Sequence, residues 1–411
     1  MRVLLMHNGS RSDLPSGESI VFHDEATMLA EAGVTVDTLH LRPSAQESGM
    51  ERIIAGARTL WSRPAYRMVR ERIGAFCPDV VHAHSVLPDL TVSALAACRD
   101  AGIPVVQTLH NYRWLCVEGG LFRDGKFCRE CIEGTPRAGV RYRCARGSLM
   151  LSLLLSENNR RYVRSGKLFQ WVDHFLPVSH FARQQFLEAG FPANRMTVKY
   201  NSVRAIAKDD VVAREHRNGR ICFAGRLDRA KGTEVLRDLV RRYDQWSWTV
   251  LGSGPEWSDW KALQAEVGGA RLELAGRVSR EDVQREFAKA SLVIAPSIVP
   301  ESFGLVAAEA MACGTPVVAT HLGGLIELIR EGRAGLTVPV AEGRDGMASA
   351  IDHLLAADGT AWQAASTAGQ AFVKRHLARD VILGDLMQLY QGLLTCRSGA
   401  VKSNPSRVCR P

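Results

Sequence analysis

Short apolar runs rich in β-branched residues recur along the chain, each followed by a stretch in which apolar positions return every three or four residues. In the first half the runs are 3–6, 34–39, 80–83, 105–109 and 175–178, and helical spacing fills 25–32, 65–76, 90–101 and 181–189. The second half repeats the plan with runs at 221–224, 248–251, 272–275, 292–295 and 316–319. Runs that are apolar at every position predict strands covered on both faces, and their alternation with helices predicts parallel sheets. Two such series predict an α/β chain of two doubly wound domains, with ligand between the carboxyl ends of their strands. The polar, aperiodic stretch 201–218 predicts a linker, placing the boundary between 1–203 and 204–380. Residues 381–396 read as a final amphipathic helix and 397–411 as a disordered tail.

At 411 residues the chain exceeds one ordinary core, which agrees with two domains. A hydrophobic content of 46% and a charged content of 23% are those of a globular protein. The first eight residues are too short an apolar run for a signal peptide, and the best later run, 149–155, stops at Glu157-Asn158-Asn159-Arg160. A cytoplasmic enzyme is therefore expected. The net charge of +9 is unevenly placed: Arg137, Arg141, Arg143, Arg146, Arg160, Arg161, Arg164 and Lys167 flank the apolar run, with Glu157 as the single acid. Two readings stand here, a surface resting on the anionic inner face of a membrane and a core helix with basic ends. No helix-turn-helix or RNA-binding signature occurs, so nucleic acid is not an expected partner.

The segment from Val299 to Thr320 concentrates the chemistry. Glu301 lies in a loop, Gly304 opens a helix with Leu305, Glu309 sits inside that helix, and a strand follows Gly314-Thr315-Pro316. Glycine at a helix start admits close backbone approach, and the unpaired amides with the helix dipole favour a phosphate. Small and apolar neighbours (Ala307, Ala308, Ala310, Met311, Ala312) predict a buried helix, and a buried Glu309 requires a partner. The two carboxylates suit the hydroxyl pairs of a hexose and a ribose at the ends of one elongated ligand. The plainer reading makes Glu309 a solvated helix glutamate and Glu301 a loop charge.

After the first strand of the second half, Gly225-Arg226-Leu227-Asp228-Arg229-Ala230-Lys231-Gly232 sets two cations where they converge on phosphate, Arg226 as a fork and Lys231 as a point charge. Gly252-Ser253-Gly254-Pro255 follows the next strand and fits the rim of the same crevice. In the first half, Gly17 follows strand one at a place for close phosphate approach, and His82, His84 and His110 end two strands. His110, at a carboxyl edge, is preferred over His84 for contacting substrate.

These residues resemble glycosyltransferase family 4, the retaining nucleotide-sugar transferases of the GT-B fold. The resemblance runs from Met1 to about Cys396 and is strongest in Gly225-Arg226-Leu227…Lys231-Gly232 and in Glu301…Glu309 through Val318. It implies two Rossmann-like domains facing a central cleft, an acceptor side at 1–203, a donor side at 204–380, and a C-terminal helix returning to the first domain. It further implies that Arg226 and Lys231 bind the donor pyrophosphate, Glu301 the donor sugar and Glu309 the ribose. By the same likeness, amides at Gly304 and Leu305 would complete the phosphate cradle, Arg277 would lie near the base, and His110 would lie beside the sugar. A UDP-sugar donor, a glycan, lipid-linked or small-molecule acceptor, and retention by front-face attack follow from the same likeness. Ser16-Gly17 stands where many relatives have two glycines, and Asn201-Ser202-Val203 where Asn-Gly-Val is commoner. No Asp-x-Asp occurs, so Arg226, Lys231 and helix amides are expected to offset the charge of the departing nucleotide without a cofactor.

Cys116, Cys128, Cys131 and Cys144 form C-x11-C-x2-C-x12-C within an insertion at about 113–147 that follows the strand bearing His110. The spacing fits a tetrahedral structural zinc site with four thiolates; redox pairing, chance occurrence and an iron–sulfur cluster are the alternatives. Two other functions compete with sugar transfer: another GT-B activity (a phosphorylase or nucleotide-sugar epimerase), and a non-catalytic binding module. Intact Arg226, Lys231, Glu301 and Glu309 disfavour the last.

Overall fold

The computed structural model describes residues 1–9, 16–41, 58–204 and 212–400, with side chains to 395. The chain divides into two compact units. One takes Met1–Arg123, Cys128–Ser202 and the chain from Asp380 onward; the other takes Asp124–Phe127 and Val203–Arg379.

The first unit is built on five parallel strands in the order Thr35–Leu41, Arg2–Asn8, Val80–Ala83, Val105–Leu109, His174–Pro177. The three middle strands are buried on both faces, apart from Arg2 at one end, as their continuous apolar sequence demands. Helices cover both sides. Arg63–Phe76 starts at Ser62, whose hydroxyl accepts the Ala65 amide, with a proline in its first turn. The C-terminal helix Arg379–Ala400 returns to this sheet, where Leu386 and Tyr390 pack with Val3, Leu5, Phe22, Val80, Val106 and Leu176.

The second unit carries six parallel strands in the order Leu272–Gly276, Ser247–Leu251, Arg220–Ala224, Leu292–Ala295, Val317–Thr320, Gly335–Val338. Its core is filled by Trp248, Trp260, Leu236, Leu292, Ile294 and Val318 among others. In each sheet the strand order reverses once. The reversal falls between Arg2–Asn8 and Val80–Ala83 in the first unit, and between Arg220–Ala224 and Leu292–Ala295 in the second. A ligand crevice forms outside the carboxyl ends at such a point, because the flanking crossovers leave it on opposite faces.

Four expectations need correction. The first helix runs Gly17–Glu31 rather than 25–32, since Ser19 and Glu25 lie on its buried stripe and interrupt the apolar period. The edge strand Gly335–Val338 is short and only partly buried, so its periodicity is weak. The C-terminal helix continues through 397–400, where a tail was expected; residues 401–411 lie outside the described residues. Within the expected linker, 205–211 lie outside the described residues, but Arg217 is buried in the second unit. Its guanidinium donates to the carbonyls of Ala290 (2.7 Å), Cys313 (3.1 Å), Phe287 (3.3 Å) and Gly314 (3.3 Å). A charge satisfied in this way leaves no mark in a hydropathy pattern.

Candidate functional site

In the second unit, the segments leaving Arg220–Ala224 and Leu292–Ala295 hold the charged residues singled out in sequence. Arg226 is 67% exposed and bonds Asp228. Asp228 in turn caps the turn Arg229–Lys231, accepting the Lys231 amide at 3.2 Å. Lys231 donates from Nζ to Glu301 Oε1 at 2.9 Å, and the Ser297 hydroxyl donates to the same oxygen. Burial pushes the Glu301 carboxyl up, but the Lys231 charge and the two hydrogen bonds outweigh it and hold it below its ordinary value. This closure requires Gly232. Its φ is +71°, and a Cβ there would stand 1.8 Å from the Pro296 carbonyl oxygen.

Gly304, at φ +97°, caps the helix Leu305–Ala312, and a Cβ on it would meet Leu325 at 2.5 Å. The first amides of a helix lack intrahelical acceptors, so Leu305 and its successors present an anion-binding end. The helix is buried from Ala307 to Ala312, Glu309 included, as expected. Its carboxylate has a partner that sequence reasoning missed. Arg280 Nε donates to Glu309 Oε1 at 2.7 Å from the start of the helix Arg280–Lys289. The available signal was the demand of a buried glutamate for a cation; which cation could not be read locally. Arg277 is exposed and donates from Nε to Ser253 Oγ at 2.7 Å, tying it to the glycine turn after Ser247–Leu251.

In the first unit, Gly17 is the first residue of its helix, beside the Ser16 cap, with no atom within 4 Å of where its Cβ would lie. His110 follows the strand Val105–Leu109, but its imidazole faces inward. Its Nε2 lies 2.9 Å from His84 Nδ1, and His84 Nε2 lies 3.2 Å from Glu25 Oε1. Glu25 also meets His82 Nδ1 at 2.8 Å and receives Lys199 Nζ on its other oxygen. His82 is closed by the Tyr390 hydroxyl (2.6 Å) from the C-terminal helix and by Thr108 Oγ1 (2.7 Å). Burial pushes the Glu25 carboxyl up, but Lys199, His82 and His84 override it and hold it well below the carboxylate range. Burial takes His82 down to about 4 despite Glu25; burial with His84 takes His7 down to about 3 and His110 well below its ordinary value. Glu25, His82 and His84 bring three donor atoms within 4.8 Å, yet Lys199 already neutralises the carboxylate, so the cluster is an ion-paired core rather than a metal cage. None of Glu25, Lys199 or His82 was singled out for a site.

The four insertion cysteines are all free; Cys116 and Cys131 are buried, Cys128 and Cys144 half-buried. Among the described residues, no three of their sulfurs lie within 4.8 Å of one another. The nearby helix Leu149–Asn158 exposes Leu149 (52%), Met150 (66%) and Leu153 (52%) while burying Ser152, Ser156 and Asn158. Leu151 and Leu155 of the same helix pack against Val117, Cys131 and Ala145, so the helix divides its apolar residues between the interior and the surface. No described helix is long and apolar enough to cross a membrane.

Residues 15–205 match the family described as Glycosyltransferase Family 4, and 218–357 match Glycosyl transferases group 1. The chain is 37% identical over 277 residues to a D-inositol 3-phosphate glycosyltransferase of Arthrobacter sp. (strain FB24), covering 63% of this chain and 58% of that one. It is 26% identical to an uncharacterized glycosyltransferase of Methanocaldococcus jannaschii, covering 66% and 64% respectively. These alignments thus span about three fifths of either relative. A D-inositol 3-phosphate glycosyltransferase of Pseudarthrobacter chlorophenolicus is 28% identical, with 78% of each chain covered. Among solved structures, HepE of Anabaena in complex with UDP-glucose superposes with TM-score 0.63 at 19% identity, over 95% of this chain and all of that one. Sucrose-phosphate synthase of Thermosynechococcus elongatus gives 0.68 at 19%, over 96% and 99%.

Proposed function

We propose that the chain is a glycosyltransferase of the GT-B fold that moves a hexose from a nucleoside-diphosphate sugar to a hydroxyl acceptor with retention of anomeric configuration. One observation carries this reading. At the switch point of the second unit, a cation (Lys231), an ionised carboxylate (Glu301) and the amide end of a buried helix (Gly304, Leu305) stand together. A departing nucleoside diphosphate gains negative charge on its outer phosphate. Lys231, Arg226 and the helix amides offset that charge without reorganising. Glu301 accepts from sugar hydroxyls, and Glu309 from the ribose while held by Arg280. Arg277 lies toward the base. His110 is assigned to the donor sugar as a neutral, positioned group rather than a proton acceptor, because His84 occupies its Nε2. Gly17, at the start of its helix in the first unit, is assigned close approach to phosphate.

UDP is the favoured nucleotide because structures of the same fold carry UDP or UDP-glucose. The acceptor is a hydroxyl of a glycan, a lipid-linked saccharide or a small polyol. A lipid-linked acceptor is supported by exposed Leu149, Met150 and Leu153 beside Arg141, Arg143 and Arg146, a composition suited to an anionic membrane surface on the cytoplasmic side. Sedimentation with anionic vesicles, lost in Met150→Glu with Leu153→Glu, tests that placement.

The test of the reaction is a panel of nucleotide sugars scored by nucleotide release. At least one donor is turned over or slowly hydrolysed by the wild type, with a loss on the order of 10²-fold in Glu301→Ala. Equal release by both proteins removes Glu301 from the reaction.

A further inference from the structure

The sugar-transfer reading makes no use of Cys116, Cys128, Cys131 and Cys144, although the fold gathers them from 29 residues of chain. Cys116 and Cys131 lie close enough to perturb each other, Cys144 packs against the small apolar cluster that contains Cys131, and it lies within electrostatic reach of Cys116 and Cys128 as well. The backbone of Gly119 and Leu121 lies beside the Cys116 sulfur, and that of Val117 and Gly139 beside the Cys131 sulfur. Neutral thiols are weak acceptors, whereas backbone amides beside sulfur are the outer-shell partners that orient metal-bound thiolates.

The backbone around them is held in costly conformations. Leu121 (φ 53°), Asp124 (52°), Arg143 (49°) and Arg146 (54°) are left-handed without being glycine, and such residues persist only where the surroundings over-determine them. The local apolar cluster is small, with Val117, Cys131 and Ala145 as its buried members. A cross-link supplies what so small a cluster does not. The charge also fits. Four thiolates on a divalent cation carry two net negative charges, and Arg123 lies within reach of both Cys128 and Cys144, with Arg141, Arg143 and Arg146 following in sequence.

We propose that Cys116, Cys128, Cys131 and Cys144 bind one structural zinc ion, which pins the insertion following the strand that bears His110. Cys116 and Cys131 form the buried half of the site. The half-buried Cys128 and Cys144 complete it by rotation about χ1, bringing the sulfurs to the ~3.8 Å separations that a Zn–S bond of ~2.3 Å requires. Binding replaces up to four S–H protons by Zn–S bonds, with no change of oxidation state.

Elemental analysis of the full chain purified without chelator tests this, together with cobalt substitution read by the visible bands of tetrahedral thiolate cobalt. One zinc per chain and a four-thiolate cobalt spectrum are expected. Cys128→Ser and Cys144→Ser should each bring metal below a tenth of the wild-type content, with Cys77→Ser unchanged. Metal-free protein in which Cys116, Cys128, Cys131 and Cys144 are all free thiols, a Cys116–Cys131 disulfide seen by mass spectrometry, a bound iron–sulfur chromophore, or full zinc in the Cys128→Ser/Cys144→Ser double variant would each overturn the proposal. The wild-type measurements stand even if a variant fails to fold, and none depends on sugar transfer.

Discussion

Each unit sets a lysine–glutamate pair near the carboxyl edge of its sheet, and the two pairs sit in different surroundings. Lys199–Glu25 has side-chain exposures of 4% and 3% and is enclosed by His82, His84 and, through His82, Tyr390. Lys231–Glu301 has exposures of 33% and 18%, beside an exposed Arg226. A buried pair is a structural commitment, because removing one partner leaves an uncompensated charge in a poor solvent. A half-exposed pair contributes little to stability and keeps its groups within reach of a ligand. On the proposed reading, the same two residue types serve architecture in the first unit and chemistry in the second.

Lys231→Ala gives the largest expected effect. Nucleotide release should fall on the order of 10²- to 10³-fold while the melting temperature stays within a few degrees. A large loss of stability with little loss of turnover would erase the distinction. Glu25→Ala should do the converse to stability, costing about 3–5 kcal/mol by denaturant titration as Lys199 is left unpaired. A cost below about 1 kcal/mol would mean that the buried network contributes no more than a surface pair.

Acidification separates the units more finely. His7 and His82 have folded-state values of about 3 and about 4 against 6.5 in the unfolded chain. Below pH 6.5 the unfolded chain therefore binds protons that the native state refuses, and stability falls as pH drops from 6.5 toward 4. Each histidine contributes a slope of about 1.4 kcal/mol per pH unit. Glu25 acts lower: its stabilisation is complete above about pH 4.5 and is lost as pH falls through its depressed native value. Hydrogen exchange at pH 7.5, 6 and 5 should show amides of the first unit losing protection before those of the second; simultaneous loss counts against the network. Glu309→Gln is the mildest change, keeping a hydrogen bond but not the charge opposite Arg280. An increase in KM for the donor of about tenfold with kcat nearly unchanged is expected, and a kcat effect as large as that of Lys231→Ala would move Glu309 into the chemical step.

Much of this was legible from local pattern. The continuous apolar runs marked ten of the eleven strands in the two parallel sheets, and Gly232, Gly304 and the charges beside them marked the switch point of the second unit. The polar interior was not legible. Glu25 breaks the apolar stripe of its own helix and reads as a surface residue, because the cation that justifies it lies 174 residues away. Arg280 reads as an ordinary helix-start charge until the fold sets it against Glu309. The spacing of the four cysteines raised a metal site, and the fold then brought their sulfurs into reach of one another.

What the sequence determined by itself is therefore the repeating strand–helix plan and the glycine-and-charge segments after its strands. Both follow from short-range constraints: side-chain period, and backbone approaches that only glycine permits. What the tertiary structure decided is which charges are paired, buried and silent, and which stay half-exposed. The free energy of a charge depends on the solvent and partners around it, and those are assembled only when distant segments meet.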